Sequence, residues 1–482
     1  MTDEPKPELS GPIPGTPILR PAQFNVKKCG YEVEEYFISG TATAYKRLGA
    51  IDECGRWSTD STSTSPYVTR LVVIRPSDPD LFNGTAIVEW FNVSGGLDAA
   101  PGWLCMHREI VRSGYAYVGV SVQKVGVEGG ASLTPGNLPL KQADPIRYGR
   151  LIHPGDAYAY DIFSQAGRLV REGGGVLGPL TPVRVLAIGE SQSAIYLTTY
   201  VNAIDPIAEV FDGFLIHSRF GGASSIEGDP FFDGGILSMP AGTRLREDLR
   251  APVITVITET DLVGCGPHNV PGGAPISGFV HARQPDHDRL RIWEIAGTAH
   301  ADTYVFNVSA IDSGVASSAE LAAAFTPTAS VFGTILDKPL NSAPQHHYVV
   351  QGALAGLDRW VRTGVPPASA DRIEVVGVGS PADAVELVLD DNGIAKGGVR
   401  TPWVDVPTMR LSGVGNFGGP LGFLVGVTEP FEPERLGTLY PDGKAQYLQQ
   451  FEAALESSIN AGFILQTDKA EILALAAEMY PE

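Results

Sequence analysis

Scarcity narrows this sequence first. Cysteine occurs only as Cys29, Cys54, Cys105 and Cys265 in 482 residues. So sparse a set is no disulfide framework and fits the reduced thiols of the cytoplasm, with a Cys29–Cys54 bridge left open. No apolar run approaches the roughly 18 residues that a membrane span needs. Positive charge is short, with 35 Lys and Arg against 55 Asp and Glu, a formal charge of -20 and a pI near 4.9. That balance argues against nucleic acid and against an anionic membrane surface as partners. The opening stretch MTDEPKPELSGPIPGTP has neither a basic start nor an apolar core, so no secretory signal is expected and a cytoplasmic location follows.

Other signals are incomplete. No internal repeat is visible. His281, Asp286, His287 and Asp288, and separately His346 with His347, lack a recognisable metal-ligand spacing and read as solvated polar loops. Residues 413–418 formally match G-x-G-x-x-G, but Gly419 and Pro420 stand where a helix should begin, which argues against a dinucleotide site. Neither a metal site nor a dinucleotide site is expected in these stretches.

What is present is an alternation of apolar runs and helical patterns. The chain exceeds the usual domain of about 100 to 200 residues but suits a large α/β domain with insertions. Segments 31–46 and 67–74 are rich in β-formers and predict edge strands. Segments 85–93, 115–122, 185–188, 210–217, 252–258 and 290–295 are short apolar runs of the kind buried on both faces. Helical patterns fall at 103–112, 157–171 and 349–362. Strands alternating with helices predict a mostly parallel sheet with helices on both faces.

The organisation expected is a flexible arm over 1–20, a main domain over 21–366, and a C-terminal extension over 367–482 packed on the core. The extension is rich in Gly and Pro over 385–426 and helical over 447–479. Two stretches, 218–249 and 301–345, are too long for simple connections and are read as cap insertions.

The centre of the pattern is RVLAIGESQSAIYLTTY, residues 184–200. It reads as strand, sharp turn and helix, with Ser191 at the apex. Such a turn holds a serine hydroxyl clear of its neighbours and sets the next amide, that of Gln192, at a helix N-terminus where it can stabilise an oxyanion. Gly189 fits the usual G-x-S-x-G pattern, and Ser193 replaces the second glycine with another small residue. A serine that merely caps a helix would leave the same pentapeptide, so the rest of the chain must decide.

A serine hydroxyl needs a general base, and that imidazole needs a carboxylate to fix its tautomer. In doubly wound hydrolases the order along the chain is serine, acid, histidine. Ser191, then Asp261 or Glu259, then His300 occur in that order, each just past the C-terminal end of an expected strand, where open α/β sheets place their sites. The loop Ser94-Gly95-Gly96 after strand 85–93 offers a second oxyanion amide, that of Ser94. Phe220, Phe231 and Phe232 in the first insertion have no strand or helix period and are expected to line an apolar substrate pocket.

These motifs, namely VEWFNVSGG (88–96), HPGDAYAYDIF (153–163), IGESQSA (188–194), TETD (258–261), AGTAHAD (296–302) and GGVRTPWVDVP (397–407), resemble the α/β-hydrolase superfamily. Within it the chain is similar to the bacterial group called alpha/beta hydrolase domain 10. The resemblance implies the α/β-hydrolase fold and a serine esterase-like activity without a cofactor. Members usually carry the acid a few residues into the loop, which favours Asp261, while Glu259 stands nearer the strand end. The expected reaction is cleavage of a small-molecule carboxylic ester or lactone through an acyl-enzyme. An amidase, a carbon-carbon hydrolase or a non-catalytic binding protein of this fold are the alternatives. Assembly into a homo-oligomer is left open.

Overall fold

The computed structural model describes residues 6–19, 24–133, 136–229, 240–265, 276–379, 385–418 and 421–481. Its centre is a nine-stranded sheet. The strands are β1 (Glu8–Ser10), β2 (Tyr31–Leu48), β3 (Ser58–Pro76), β4 (Thr85–Trp90), β5 (Ala116–Val120), β6 (Arg184–Glu190), β7 (Gly213–His217), β8 (Val253–Thr258) and β9 (Leu290–Ile295). They lie side by side in the order β1-β2-β3-β5-β4-β6-β7-β8-β9. β1, β2 and β3 pair antiparallel, and β3 joins β5 antiparallel. From β5 to β9 every pairing is parallel.

Alternate side chains of the parallel strands enter two separate cores. Val88, Val118, Ala187, Phe214 and Val253 join the cluster that includes helix α2 (Ala159–Glu172) and helix α3 (Gln192–Thr199). Ile87, Tyr117, Leu186, Leu215 and Ile254 join the cluster that includes α1 (Pro101–Arg112) and α4 (Gln345–Thr363). Both faces are therefore covered, which explains why every residue of β4, β5, β7 and β8 is buried and why their sequences read as continuous apolar runs. A buried carboxylate ties strand to helix: Glu89 on β4 accepts from the Gly102 and Trp103 amides at the start of α1, at 2.7 and 2.9 Å, and from the Tyr117 hydroxyl at 2.6 Å. It supplies the acceptors that α1, lacking a side-chain cap, leaves unmet.

One expectation on organisation changes. The arm over 1–20 is not free where it is described: Glu8–Ser10 extends the sheet by pairing with 37–39 of β2, and the Ile18 carbonyl accepts from the buried Arg70 guanidinium at 2.6 Å. Backbone groups of the arm thus find partners on a sheet edge, which no local pattern in a proline-rich stretch announces. The C-terminal extension is equally integrated. Val399 bridges Ile295 at the far sheet edge, and Trp403 stacks on Tyr348 of α4 with ring centroids 5.8 Å apart. Helices α5 (Lys444–Asn460) and α6 (Lys469–Met479) close the same side, where Arg108 of α1 meets Glu471 at 3.1 Å. Among the described residues, no helix is long and apolar enough to cross a membrane.

Candidate active site

Strand β6 carries the chain to the C-terminal edge of the sheet and turns at once into α3. Ser191 makes that turn with φ 59° and ψ -123°, left-handed backbone that a side chain adopts only under constraint. The constraint is packing. A Cβ on Gly189 would stand 2.9 Å from the Ser193 carbonyl oxygen, so strand and helix pass too close for any larger residue there. The Ser191 amide donates to the His217 carbonyl of the neighbouring β7 at 3.0 Å.

Ser191 Oγ lies 2.8 Å from His300 Nε2, and His300 Nδ1 lies 2.6 Å from Asp261 Oδ1. The carboxylate makes Nδ1 the protonated nitrogen and leaves Nε2 as the acceptor for the serine hydroxyl. Asp261 is held in turn by the Thr258 amide at 2.9 Å and the Thr258 hydroxyl at 2.7 Å, both donating to Oδ2. These contacts form a reciprocal cap on the short helix Glu259–Val263 that follows β8. Phe220 covers the imidazole, its ring stacked on that of His300 with centroids 5.2 Å apart.

Glu259, the other acid considered, points elsewhere. Its carboxylate accepts from the Gly297 amide at 2.6 Å, the Gly413 amide at 2.7 Å and the Ser412 hydroxyl at 3.1 Å. It therefore staples the β8 loop to the β9 loop and to the C-terminal extension. Burial pushes its carboxyl up to about 7 against the opposing pull of those amides. Gly413 is needed for the approach, because a Cβ there would lie 2.3 Å from the Thr298 carbonyl oxygen. The first glycine of the incomplete dinucleotide motif thus serves a close crossing of loops.

The two oxyanion candidates part company. Gln192 provides the first amide of α3, where helix N–H groups have no intrahelical acceptor. The Ser94 amide is different: it donates to Asn92 Oδ1 at 2.8 Å and is committed to that side chain. Asn92 is itself fixed, donating to the Glu190 carbonyl at 3.1 Å. Ser94 nevertheless sits at the site, its hydroxyl 3.3 Å from Gln192 Oε1.

Glu190 is a residue that sequence reasoning missed. It is buried beside Ser191, with Oε1 3.7 Å from His300 Nε2. Burial pushes its carboxyl up to about 8, with neighbouring Asp261 and Glu89 adding to the rise and His300 opposing it. The signal was available in strand alternation: a glutamate at the last position of a buried strand, next to the apex serine, must project at the site. For His300, burial works against protonation, but Asp261 and then Glu190 outweigh it and hold the imidazole above its usual 6.5.

That shift has a kinetic sign. A protonated Nε2 cannot accept the Ser191 proton, so any activity that depends on this pair is expected to fall as pH drops through the His300 pKa. A plot of log kcat/KM against pH is expected to show an acidic limb of about unit slope centred above 6.5. A limb centred below 6 would mean that the carboxylates do not govern this histidine.

Above Ser191 opens a cavity of about 1070 Å³. Its wall combines Ile195 and Phe220, Val305 and Phe306 from the second insertion, and Leu421 and Leu424 from the C-terminal extension. Phe231 and Phe232 lie outside the described residues. The second insertion holds a helix, Ser318–Ala324, and a small hairpin, Ser330–Val331 with Thr334–Ile335. Among the described residues, 218–229 and 240–249 of the first insertion contain neither helix nor strand.

His346 and His347, expected in a solvated polar loop, are instead buried in the first turn of α4, where the helix packs on the core. His346 pairs with Asp302 and His217, and His347 stacks on Tyr304 with centroids 3.6 Å apart. Among the described residues no group of three or more His, Cys, Asp or Glu is placed to hold a metal ion.

A model of the alpha/beta hydrolase domain family matches residues 4–474. The chain belongs to this family. The fold is accordingly the α/β-hydrolase fold, with the strand order and pairings described above. No curated protein matches the sequence of this hydrolase. Solved structures similar to parts of it include the esterase Est22, 12% identical over 46% of this chain and 64% of that one, with a TM-score of 0.25. An α/β serine hydrolase without lid from Xanthomonas campestris is 12% identical over 46% and 72%, with a TM-score of 0.24. Acetyl xylan esterase 1 from Thermoanaerobacterium sp. JW/SL YS485 is 12% identical over 45% and 73%, with a TM-score of 0.24.

Proposed function

We propose that this hydrolase cleaves a carboxylic ester or a lactone through an acyl-enzyme on Ser191. One observation carries the reading: the unbroken hydrogen-bonded chain Ser191–His300–Asp261 at the mouth of a large cavity. In the first half-reaction His300 Nε2 takes the hydroxyl proton as Oγ attacks the carbonyl carbon. The Gln192 amide stabilises the oxyanion, and the imidazolium, steadied by Asp261, passes its proton to the departing alkoxide. In the second half-reaction water, deprotonated by the same nitrogen, attacks the acyl group and Oγ leaves with the proton. For a lactone, both halves stay in one product, a hydroxy acid.

The test is labelling by a fluorophosphonate probe followed by a panel of nitrophenyl esters and lactones. Covalent labelling at Ser191 with turnover of at least one carbonyl class supports the reading. An unlabelled, inactive protein would return the fold to a binding role.

The walls also predict the charge of the substrate. The cavity lining is largely apolar, includes Glu190, and has no Lys or Arg among the described residues. A carboxylate on the substrate would lose its hydration there without gaining a cation. Neutral esters are therefore expected to exceed carboxylate-bearing esters of matched size by at least about tenfold in kcat/KM. A preference for the charged member would contradict an apolar pocket.

A further inference from the structure

Glu190 stands at the reacting atoms, yet acyl transfer to Ser191 gives it no step. It is the last residue of β6 and pairs in register with His217 of β7. On its other side the Asn92 amide group donates to its carbonyl at 3.1 Å and lies 3.5 Å from Oε2. The carboxyl is thus steadied through Oε2, and Oε1 is the oxygen turned to His300. Among the described residues no donor reaches Oε1. The side chain keeps 10% of its surface accessible and forms part of the wall of the cavity that also holds Ser191 and His300.

The 3.7 Å between Oε1 and His300 Nε2 is too long for a direct hydrogen bond, but one water can bridge it, with its oxygen about 2.8 Å from each. Nε2 is also the nitrogen 2.8 Å from Ser191 Oγ, where its lone pair accepts the serine hydroxyl. Once Oγ is acylated it carries no hydrogen, and that lone pair is released to another donor. The water that hydrolyses the acyl-enzyme must therefore give one hydrogen to Nε2 while its oxygen faces the acyl carbon. Its second hydrogen, in a largely apolar cavity, also needs an acceptor. Oε1 stands where that acceptor is needed.

We propose that Glu190 holds the water of the second half-reaction, accepting one of its hydrogens at Oε1 while His300 Nε2 takes the other. The assignment deepens the serine hydrolase reading and rests on it. As the water oxygen bonds to the acyl carbon, its proton passes to Nε2 and from there to Oγ as the bond between carbon and Oγ breaks. The second hydrogen leaves with the carboxylic acid, and Glu190 neither gains nor loses a proton. Either state of the carboxyl serves: ionised it accepts, and neutral with its hydrogen on Oε2 it still presents a carbonyl oxygen at Oε1. Acylation consumes no water and makes no use of this oxygen.

Methanol tests the assignment because it has a single hydroxyl hydrogen. Attack by methanol spends that hydrogen on Nε2 and leaves none for Oε1. The experiment follows a nitrophenyl ester in buffer containing methanol, at a pH above the acidic limb, and measures the nitrophenol burst and the ratio of free acid to methyl ester formed. Glu190→Met removes both oxygens but keeps an unbranched side chain, and Asn92 keeps the backbone carbonyl as its acceptor. The variant is expected to form acid and methyl ester in a ratio lower than native by about tenfold or more, with the burst rate changed far less than the steady-state hydrolysis. An unchanged ratio, with burst and steady state slowed alike, would mean that Glu190 acts only through His300 or through packing, and overturns the assignment. If the variant does not fold, the native protein decides. It should choose water over methanol, mole for mole, more strongly than acyl transfer from the same ester does in protein-free buffer, and a native ratio equal to that of free solution overturns the water-holding role. Labelling of Ser191 by the fluorophosphonate together with such a ratio removes the role of Glu190 alone. Absence of labelling and of any burst overturns the serine hydrolase reading and this role with it.

Discussion

Ser191→Ala is expected to reduce kcat on any hydrolysed ester by on the order of 10⁶-fold, to the level that binding and the oxyanion amide sustain by themselves. The magnitude follows from the nature of the step. Without Oγ there is no acyl-enzyme, and His300, oriented towards the serine at 2.8 Å, has no nucleophile to deprotonate except a chance water. KM should change far less, because the cavity wall is made by other residues. The fold should tolerate the change: among the described residues the serine side chain makes one hydrogen bond, to His300, and Ala keeps the Cβ that the strained turn already accommodates. Stopped assays over days on a preparation free of contaminating esterase, with a melting curve beside them, measure both. Near-native turnover in that preparation would remove Ser191 from the chemistry.

Asp261→Asn is expected to lower kcat by about 10⁴-fold while Glu259→Gln lowers it much less. The two acids stand at opposite ends of one capped turn but serve different masters. In Asp261→Asn the oxygen can keep the two Thr258 bonds, which leaves the NH2 group facing His300 Nδ1. A donor there favours the tautomer with the hydrogen on Nε2, and such an imidazole cannot accept the serine proton. In Glu259→Gln the catalytic chain is untouched. The amide keeps only one oxygen for the three donors Gly297, Gly413 and Ser412, so part of the staple between the β8 and β9 loops and the extension is lost. Its signature should be a lower melting temperature, from a buried donor left unmet at about 1 to 3 kcal/mol. Comparing kcat and melting temperature for both variants decides the matter, and a greater catalytic loss in Glu259→Gln would transfer the orienting role to that residue.

Much of this arrangement was legible in order along the chain. The buried strands announce themselves because a sheet covered on both faces needs apolar residues at every position, and 85–90, 213–217 and 253–258 satisfy that without help from elsewhere. The turn at Gly189–Ser191 is a local matter of sterics and shows in five residues. His300 stands out by chain order, because a residue just past a strand end lies at the same sheet edge as Ser191, and the two meet there.

Where two groups competed for one role, local pattern did not discriminate. Asp261 and Glu259 are both buried, both follow β8, and both look like helix-starting acids in TETD. What separates them is the direction each takes at the capped turn and what it meets there: His300 from the β9 loop for one, and Gly413, more than 150 residues along the chain, for the other. The Ser94 amide failed as an expected oxyanion donor for a similar reason, because Asn92 turns back on its own loop and occupies it.

The sequence alone therefore determined the layered sheet, the serine turn and the order serine, acid, histidine along the chain, all of which depend on periodicity and on sterics between near neighbours. Only the tertiary structure decided which acid faces the imidazole, that Glu190 and His217 share the serine's cavity, and that an N-terminal stretch and a C-terminal extension complete the sheet edges and the cavity wall. Those outcomes rest on contacts between segments far apart in the chain, and a side chain's partner across such a distance is settled by how the layers pack.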